Sequence, residues 1–168
     1  MIAELYHIVN VPTMIWIDES GTVVRPNDAQ FGTDTFTQFH GKKSEPYLEM
    51  IRAWVREGAG ELSPDEVRAN RLPPTTESQL ARAERRLATH LNEQGREKAA
   101  EQHFVRAGEL APKDWTIRRG SMPMRGMNPF GPEFFDLFAE GAPVYPMDAL
   151  TPTSAGSGDS NESNESGD

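Results

Sequence analysis

Apolar positions come first in short runs and later at helical spacing. Thr13-Met14-Ile15-Trp16-Ile17 is an apolar run without alternation, the pattern of a strand covered on both faces. Asp18-Glu19-Ser20-Gly21 is a tight-turn signal and Thr22-Val23-Val24 a β-branched return, so the two runs predict a β-hairpin. Residues 25–43, with Gly, Asp, Asn, Thr and scattered Phe, read as a long loop. Ser44 is then placed to cap a helix with Pro46 in its first turn. Leu48, Ile51 and Val55, beside Tyr47, Met50 and Trp54, give it a broad apolar face, and Gly58 stops it.

Further on the signals are helical. Ser63-Pro64-Asp65-Glu66 is a capping box opening a short helix near 64–70. Thr76, with Gln79 three residues on, opens a helix over 77–93 that Gly95 closes. Another runs over 96–110 and ends at Ala111-Pro112. The short gap between these two predicts an antiparallel helical hairpin. Residues 121–150 alternate Met, Pro, Gly and Phe, and Pro132 and Gly141 bracket a last short helix bearing Phe134, Phe135, Leu137 and Phe138. After Leu150 the sequence has four acidic residues and no large apolar side chain, so a disordered tail is expected.

Composition narrows the function classes. The 168 residues suit one ordinary domain or two small ones. Apolar residues other than glycine are 36% of the chain, below the usual share of about 45–50% even allowing for glycine in that figure, so one large core along the whole length is not expected. The net charge of −9 makes nucleic acid a poor partner. No apolar stretch approaches the ~20 residues of a membrane span, and Met1–Asn10 lacks the basic start of a signal peptide. A cytoplasmic location is the default expectation, although an export signal further upstream would change it. The chain has no cysteine, which removes disulfides, thiolate zinc sites and any cysteine nucleophile within these residues.

The segment Tyr6-His7-Ile8-Val9-Asn10-Val11-Pro12-Thr13, followed by Met14-Ile15-Trp16-Ile17 and Asp18-Glu19-Ser20-Gly21, resembles the second half of a thioredoxin-like domain. The redoxin branch, with TlpA/ResA-like and alkyl hydroperoxide reductase-like proteins, is the nearest match. In that family a Tyr-x-Val/Ile segment leads to a Val/Ile-Pro-Thr step, an apolar strand, an Asp-x-x-Gly turn and a second strand. The helix over 46–57 then matches the family's last helix, and the likeness covers about a third of the chain. It implies a cis Val11–Pro12 bond and a partner-contact element at Val11, Pro12 and Thr13, where backbone meets a bound thiol or disulfide partner. The bland alternative is a tight turn before a strand.

The sequence departs from the family at the redox centre. A Cys-x-x-Cys or single reactive cysteine belongs upstream of the proline, and eleven residues precede Pro12 here. Thiol–disulfide exchange needs a thiolate, so the chain as given is not catalytic. The expectation is a carboxy-terminal part of a longer protein, with cysteine or selenocysteine upstream and one long apolar edge exposed on the strand at 13–17.

A second resemblance lies in the helices. Leu87, Ala88, Leu91, Gly95, Ala100, Phe104, Ala107 and Pro112 are spaced as in one tetratricopeptide repeat, with Glu84 where an aromatic is usual. One repeat is too few for a solenoid. A hairpin docked on the thioredoxin-like part is preferred over a peptide groove, with Leu87, Leu91 and Phe104 filling between its helices.

Other candidate chemistry is thin. His90 and Glu93 share a helix and His103 lies on the next, but no metal signature is present and a surface pair is preferred. His7 and His40 stand alone in loops. Arg118-Arg119 reads as helix capping or a solvated pair rather than an anion clamp. Met122, Met124 and Met127 read as a flap packed on the helices rather than a copper site. No cofactor or metal is expected.

The fold class expected is α/β: a partial thioredoxin-like domain over 1–60, a helical hairpin over 61–120, a Met/Pro/Phe flap over 121–150 and the tail over 151–168. The function expected is the partner-contacting, carboxy-terminal part of a redoxin-type thiol oxidoreductase or peroxidase, acting on a thiol or disulfide protein or small thiol. The alternative is a non-catalytic thioredoxin-like and tetratricopeptide-like interaction module.

Overall fold

A computed structural model describes residues 2–29, 32–35, 37 and 41–150, and the tail expected after Leu150 lies outside them, as does His40. The fold is mixed α/β. A short helix α1 (Ile2–Leu5) leads into the hairpin β1 (Met14–Ile17) and β2 (Val23–Asp28), which pair antiparallel. The helices α2 (Ser44–Glu57), α3 (Pro64–Asn70), α4 (Thr76–Glu93) and α5 (Glu97–Leu110) follow. After them come α6 (Arg118–Ser121), a 3-10 turn over Met122–Arg125, α7 (Pro132–Ala139) and a 3-10 turn over Pro146–Leu150.

The hairpin is longer than its apolar residues indicate. Arg25, Pro26, Asn27 and Asp28, expected in a loop, continue β2. Met14 pairs with Asp28 and Trp16 with Arg25, so two steps on β1 match three on β2. That bulge accommodates Pro26, which has no amide hydrogen for a ladder bond. Arg25 and Asp28 are buried, and this hid the strand from a reading based on apolar alternation. The Asp18 carboxylate closes the turn by accepting from the amides of Ser20 and Thr22 at 2.9 and 2.8 Å.

One face of the hairpin carries the first core cluster. Trp16, Val24 and Tyr47 are buried there, with Met14, Met50, Ile51 and Trp54 against them. Trp16 stacks on Trp54 with centroids 4.8 Å apart, and its indole N–H donates to the Tyr47 hydroxyl at 2.9 Å. Tyr47, Met50, Ile51 and Trp54 of the apolar face read for α2 pack on the sheet, whereas Val55, read as part of that face, is 74% exposed. Ser44 is the first residue of α2 and not its cap: Lys43 precedes the helix, and the Asp34 carboxylate accepts from the Ser44 amide at 2.7 Å. A distant carboxylate does the work expected of the serine hydroxyl. Gly58 ends the helix at φ 68°, a left-handed conformation that glycine adopts without a Cβ penalty.

The capping box at Ser63 and Glu66 forms as read. For α4 the cap moves by one residue, because the Thr75 hydroxyl accepts from the Ser78 amide at 3.1 Å. α4 and α5 form the expected hairpin, and its interior is Ala88, Leu91, Ala100 and Phe104 at one end and Ala81, Ala107, Ala111 and Ile117 at the other. Leu87 is 43% exposed and does not fill the gap, contrary to expectation. Glu84, standing where an aromatic is usual, meets His103 Nδ1 of α5 at 2.6 Å and joins the two helices by a hydrogen bond instead. A fourth cluster of Trp115, Met122 and Leu137, with Met127 and Phe134, makes the flap.

The helical hairpin docks on the amino-terminal segment through a buried ion pair. Arg82 Nη2 donates to Asp114 Oδ2 at 3.0 Å and to the Ile8 carbonyl at 3.0 Å. Asp114 Oδ1 also accepts from the amides of Thr116 and Ile117, at 2.9 and 3.2 Å. Removing one member leaves a buried charge without its counterpart, which costs about 3–5 kcal/mol, whereas an apolar pair of similar volume is tolerated. Asp114→Ala is therefore expected to lose about 3–5 kcal/mol in urea unfolding, and Arg82→Met with Asp114→Leu to lose less than the single change. Equal stability of Asp114→Ala and the native chain would show that the pair does not hold the docking.

Burial raises the Tyr47 phenol to about 12 from an ordinary 10.0, ahead of the opposing effect of the Trp16 hydrogen bond. With the folded value above the unfolded one, its contribution is whole below pH 10.0 and is lost as pH climbs toward 12. The native chain should lose stability across that window more steeply than Tyr47→Phe, as followed by denaturant midpoints. Parallel slopes would refute the assignment.

Candidate functional site

The loop from Ile8 to Thr13 has no regular structure, so its backbone groups need partners elsewhere. The Ile8 carbonyl takes the Arg82 bond, and the Val9 carbonyl accepts from the Trp115 amide at 2.7 Å. The amides of Val9 and Asn10 both donate to the Tyr145 hydroxyl, at 2.9 and 3.0 Å. Thr13 Oγ1 donates its single hydrogen to the Asn10 carbonyl at 2.7 Å. The remaining 3.0 Å contact between the Thr13 and Tyr145 hydroxyls therefore has Tyr145 as donor. One phenol satisfies three groups of the loop. Tyr145 is 1% exposed, and burial is the main reason its phenol is raised above the ordinary value.

Tyr145 is itself fixed. Asp148 accepts from the Tyr145 amide and from the Ala29 amide, both at 2.9 Å, which ties the last 3-10 turn to the end of β2. On the other side the Asn27 side-chain amide donates to the carbonyls of Tyr6 and His7 at 2.9 and 3.1 Å. His7 sits at φ 50°, rare for a residue with a Cβ, with a buried Nδ1 that has no hydrogen-bond partner. Burial first, and then the nearby Arg82 charge, lowers its imidazole pKa.

Of the three partner-contact residues, Val11 is 60% exposed while Pro12 and Thr13 are half-buried. The Val11–Pro12 bond is cis, as the resemblance implied. The Val11 amide donates to the neighbouring Asn10 Oδ1 at 2.9 Å. β1 begins two residues after Pro12 and pairs with β2 on one edge only, among the described residues. Its Ile15 lines a cavity of about 420 Å³ with Tyr6, His7, Asn27, Leu72 and Tyr145. The site thus presents an exposed side chain on a tightly held loop, next to an unpaired strand edge.

The other candidate residues do not converge. His90 contacts Gln94 at 3.0 Å and His103 contacts Glu84, so the two histidines do not share a ligand position. No group of three or more potential metal ligands occurs among the described residues. Arg118 donates to the Pro112 carbonyl at 3.3 Å, two residues past the end of α5, and pairs with Glu140. Arg119 instead lies over Phe130 and Phe134. Met122 is buried, Met127 packs beside it, and Met124 leans on the helical hairpin, which fits a packed flap. No described helix is long and apolar enough to cross a membrane.

Comparison with protein-family models, with curated proteins and with solved structures found no match to this chain. The residues that shape the loop were also missed by sequence reasoning. Tyr145 lies more than 130 positions from its partners, and its one local sign is Asp148 three residues on. Asp114 was not singled out in the sequence either, and nothing local marks Arg82, 32 positions away, as its partner.

Tyr145→Phe strands two part-buried amides, those of Val9 and Asn10, at a cost of about 1–3 kcal/mol. The expected result is a lower denaturant midpoint with faster hydrogen exchange at Val9 and Asn10 and unchanged exchange within α4. Unchanged protection at those two amides would show that the hydroxyl does not hold the loop.

Proposed function

We propose that this chain supplies the partner-contacting part of a redoxin-type thiol–disulfide oxidoreductase or peroxidase, the reactive cysteine or selenocysteine coming from another segment. The observation that carries the reading is the exposed Val11 on a loop fixed by Tyr145, at the head of a β1 strand whose outer edge is unpaired. An extended partner can add to such an edge through backbone hydrogen bonds while neighbouring side chains select it. The order of loop, strand, Asp-x-x-Gly turn, strand and packed helix supports the same reading. No residue of this chain is assigned to the sulfur chemistry, since none is a thiol.

A second reading, an interaction module without chemistry, is favoured by the absence of cysteine from all 168 residues. Reading the coding DNA in frame upstream of Met1 separates the two. A Cys-x-x-Cys, a lone Cys codon or an in-frame UGA supports the redox reading; stop codons directly before a genuine start overturn it. In a protein with such an upstream centre, Val11→Asp should raise KM for a disulfide substrate about tenfold, or about 1.4 kcal/mol, and leave the reactive thiol's pKa unchanged. An unchanged KM would remove Val11 from partner contact.

A further inference from the structure

His7 joins α1 to the loop that carries Val11, and three features meet at it. Its φ of 50° is a left-handed conformation that strains a residue with a Cβ. Its Nδ1 is buried and has no hydrogen-bond partner. Its ring also lines the cavity of about 420 Å³ beside Ile15 and Tyr145, so open space lies next to it. Burial, and then the Arg82 charge, lowers its pKa, which keeps the imidazole mostly neutral at neutral pH.

The charged and titratable groups around the ring come from every element packed against it. Arg82 of α4 repels an imidazolium. Asp114 attracts one, but its Oδ2 is engaged by Arg82 and its Oδ1 by the Thr116 and Ile117 amides. Tyr145, on the last 3-10 turn, has a phenol raised above its ordinary value and stays uncharged. β2 offers the neutral Asn27, whose side-chain amide donates to the His7 carbonyl at 3.1 Å. The cavity wall adds the Tyr6 phenol, Arg71 after α3, and Glu4 of α1, whose carboxylate pairs with Arg86 at 3.1 Å.

We propose that His7 is a proton-operated latch on the loop: neutral, its ring lies in and the loop is held; protonated, it turns into the cavity toward Glu4 and the loop loosens. Whichever nitrogen holds the hydrogen in the neutral ring, the imidazolium holds one on each. A proton taken from water therefore leaves a charged N–H at Nδ1, buried, without an acceptor and near a like charge. That costs more than a neutral nitrogen left unpaired. In the cavity, water and the Glu4 carboxylate receive the charge, and the backbone is free to leave its left-handed conformation. The movement pulls first on the Ile8 carbonyl that accepts from Arg82, then on the Val9 and Asn10 amides that donate to Tyr145. In acid, Val11 would then meet its partner on a mobile loop; this consequence rests on the function proposed above.

The folded pKa lies below the unfolded 6.5, so the unfolded chain takes the proton first. The stability contributed is whole above pH 6.5 and is lost as pH falls below it toward the folded value. Hydrogen exchange of the full chain at about pH 7.5 and about pH 5, read as protection factors to remove the intrinsic pH dependence, tests the latch. Protection at Val9 and Asn10 should fall at least about threefold in acid, while amides within α4 keep theirs. His7→Asn tolerates the left-handed conformation and cannot titrate, so its protection at both amides should stay level within about twofold. Glu4→Gln should move the fall to lower pH, and an unmoved fall overturns the swing toward Glu4. Native protection that does not fall overturns the latch. So does a fall that His7→Asn shares, which assigns it to other groups, or one that α4 shares, which is global unfolding. None of these readouts needs a partner or an upstream thiol, so their failure is distinct from failure of the proposed function.

Discussion

Two buried polar centres decide where the parts of this chain sit: the Arg82–Asp114 pair and the Tyr145 hydroxyl. Both act on the irregular segment that precedes β1. A segment without its own helix or ladder bonds cannot be buried unless its amides and carbonyls find partners. Here those partners lie from 20 to 136 positions away, on β2, α4, the start of the flap and the last 3-10 turn. Satisfying the segment therefore fixes the hairpin against the helices. Electrostatic attraction alone would not do so as selectively, because water competes well with an ion pair but not with a fixed set of hydrogen-bond directions in a dry site.

The need for polar ties follows from the composition. At 36% apolar, the chain has little surface to spend on one continuous core. Among the described residues it builds four small clusters instead: around Trp16 on the hairpin, two inside the helical hairpin, and one around Trp115 in the flap. Each is of a size that gives little orientation to its neighbours. The hydrogen bonds between clusters supply that orientation, and Trp115 shows the link, its ring in the flap cluster and its amide on Val9.

What was legible in the sequence was what local spacing encodes. Apolar periodicity marked the α4–α5 hairpin and the inner face of α2, and the Ser63 capping box predicted its own hydrogen bonds. Caps drawn from elsewhere were misread: Asp34 in place of Ser44, and Thr75 in place of Thr76, differ by chain path or by one residue of phase. The polar half of β2 was illegible because buried Arg25 and Asp28 look like surface residues until the bulge at Pro26 and the approach of Gly60 and α2 are known. Leu87 was misread for the opposite reason: the repeat pattern assigns it to the interior, whereas it is 43% exposed and Ala88, Leu91, Ala100 and Phe104 form the core there. Of the site, Val11 to Thr13 were visible through the resemblance, whereas Tyr145, which determines their backbone, was not. A side chain that acts at a distance of more than 130 residues leaves no periodic trace.

The same division explains where the chain remains open. Clusters that meet through directional polar contacts bury less apolar surface than clusters that merge, so each leaves a rim. At the hairpin the rim is the outer edge of β1 beside Val11, and at the flap it is the phenylalanine face of α7. These rims differ in what could complete them. A strand edge demands backbone donors and acceptors at a regular spacing, which any extended chain can offer, so discrimination there falls to the few side chains around the exposed Val11. A surface of phenylalanine rings beside the Arg119 guanidinium offers no such backbone pattern, so completing it depends on side-chain packing alone. The openness of both follows from a chain that holds itself together by hydrogen bonds at its seams.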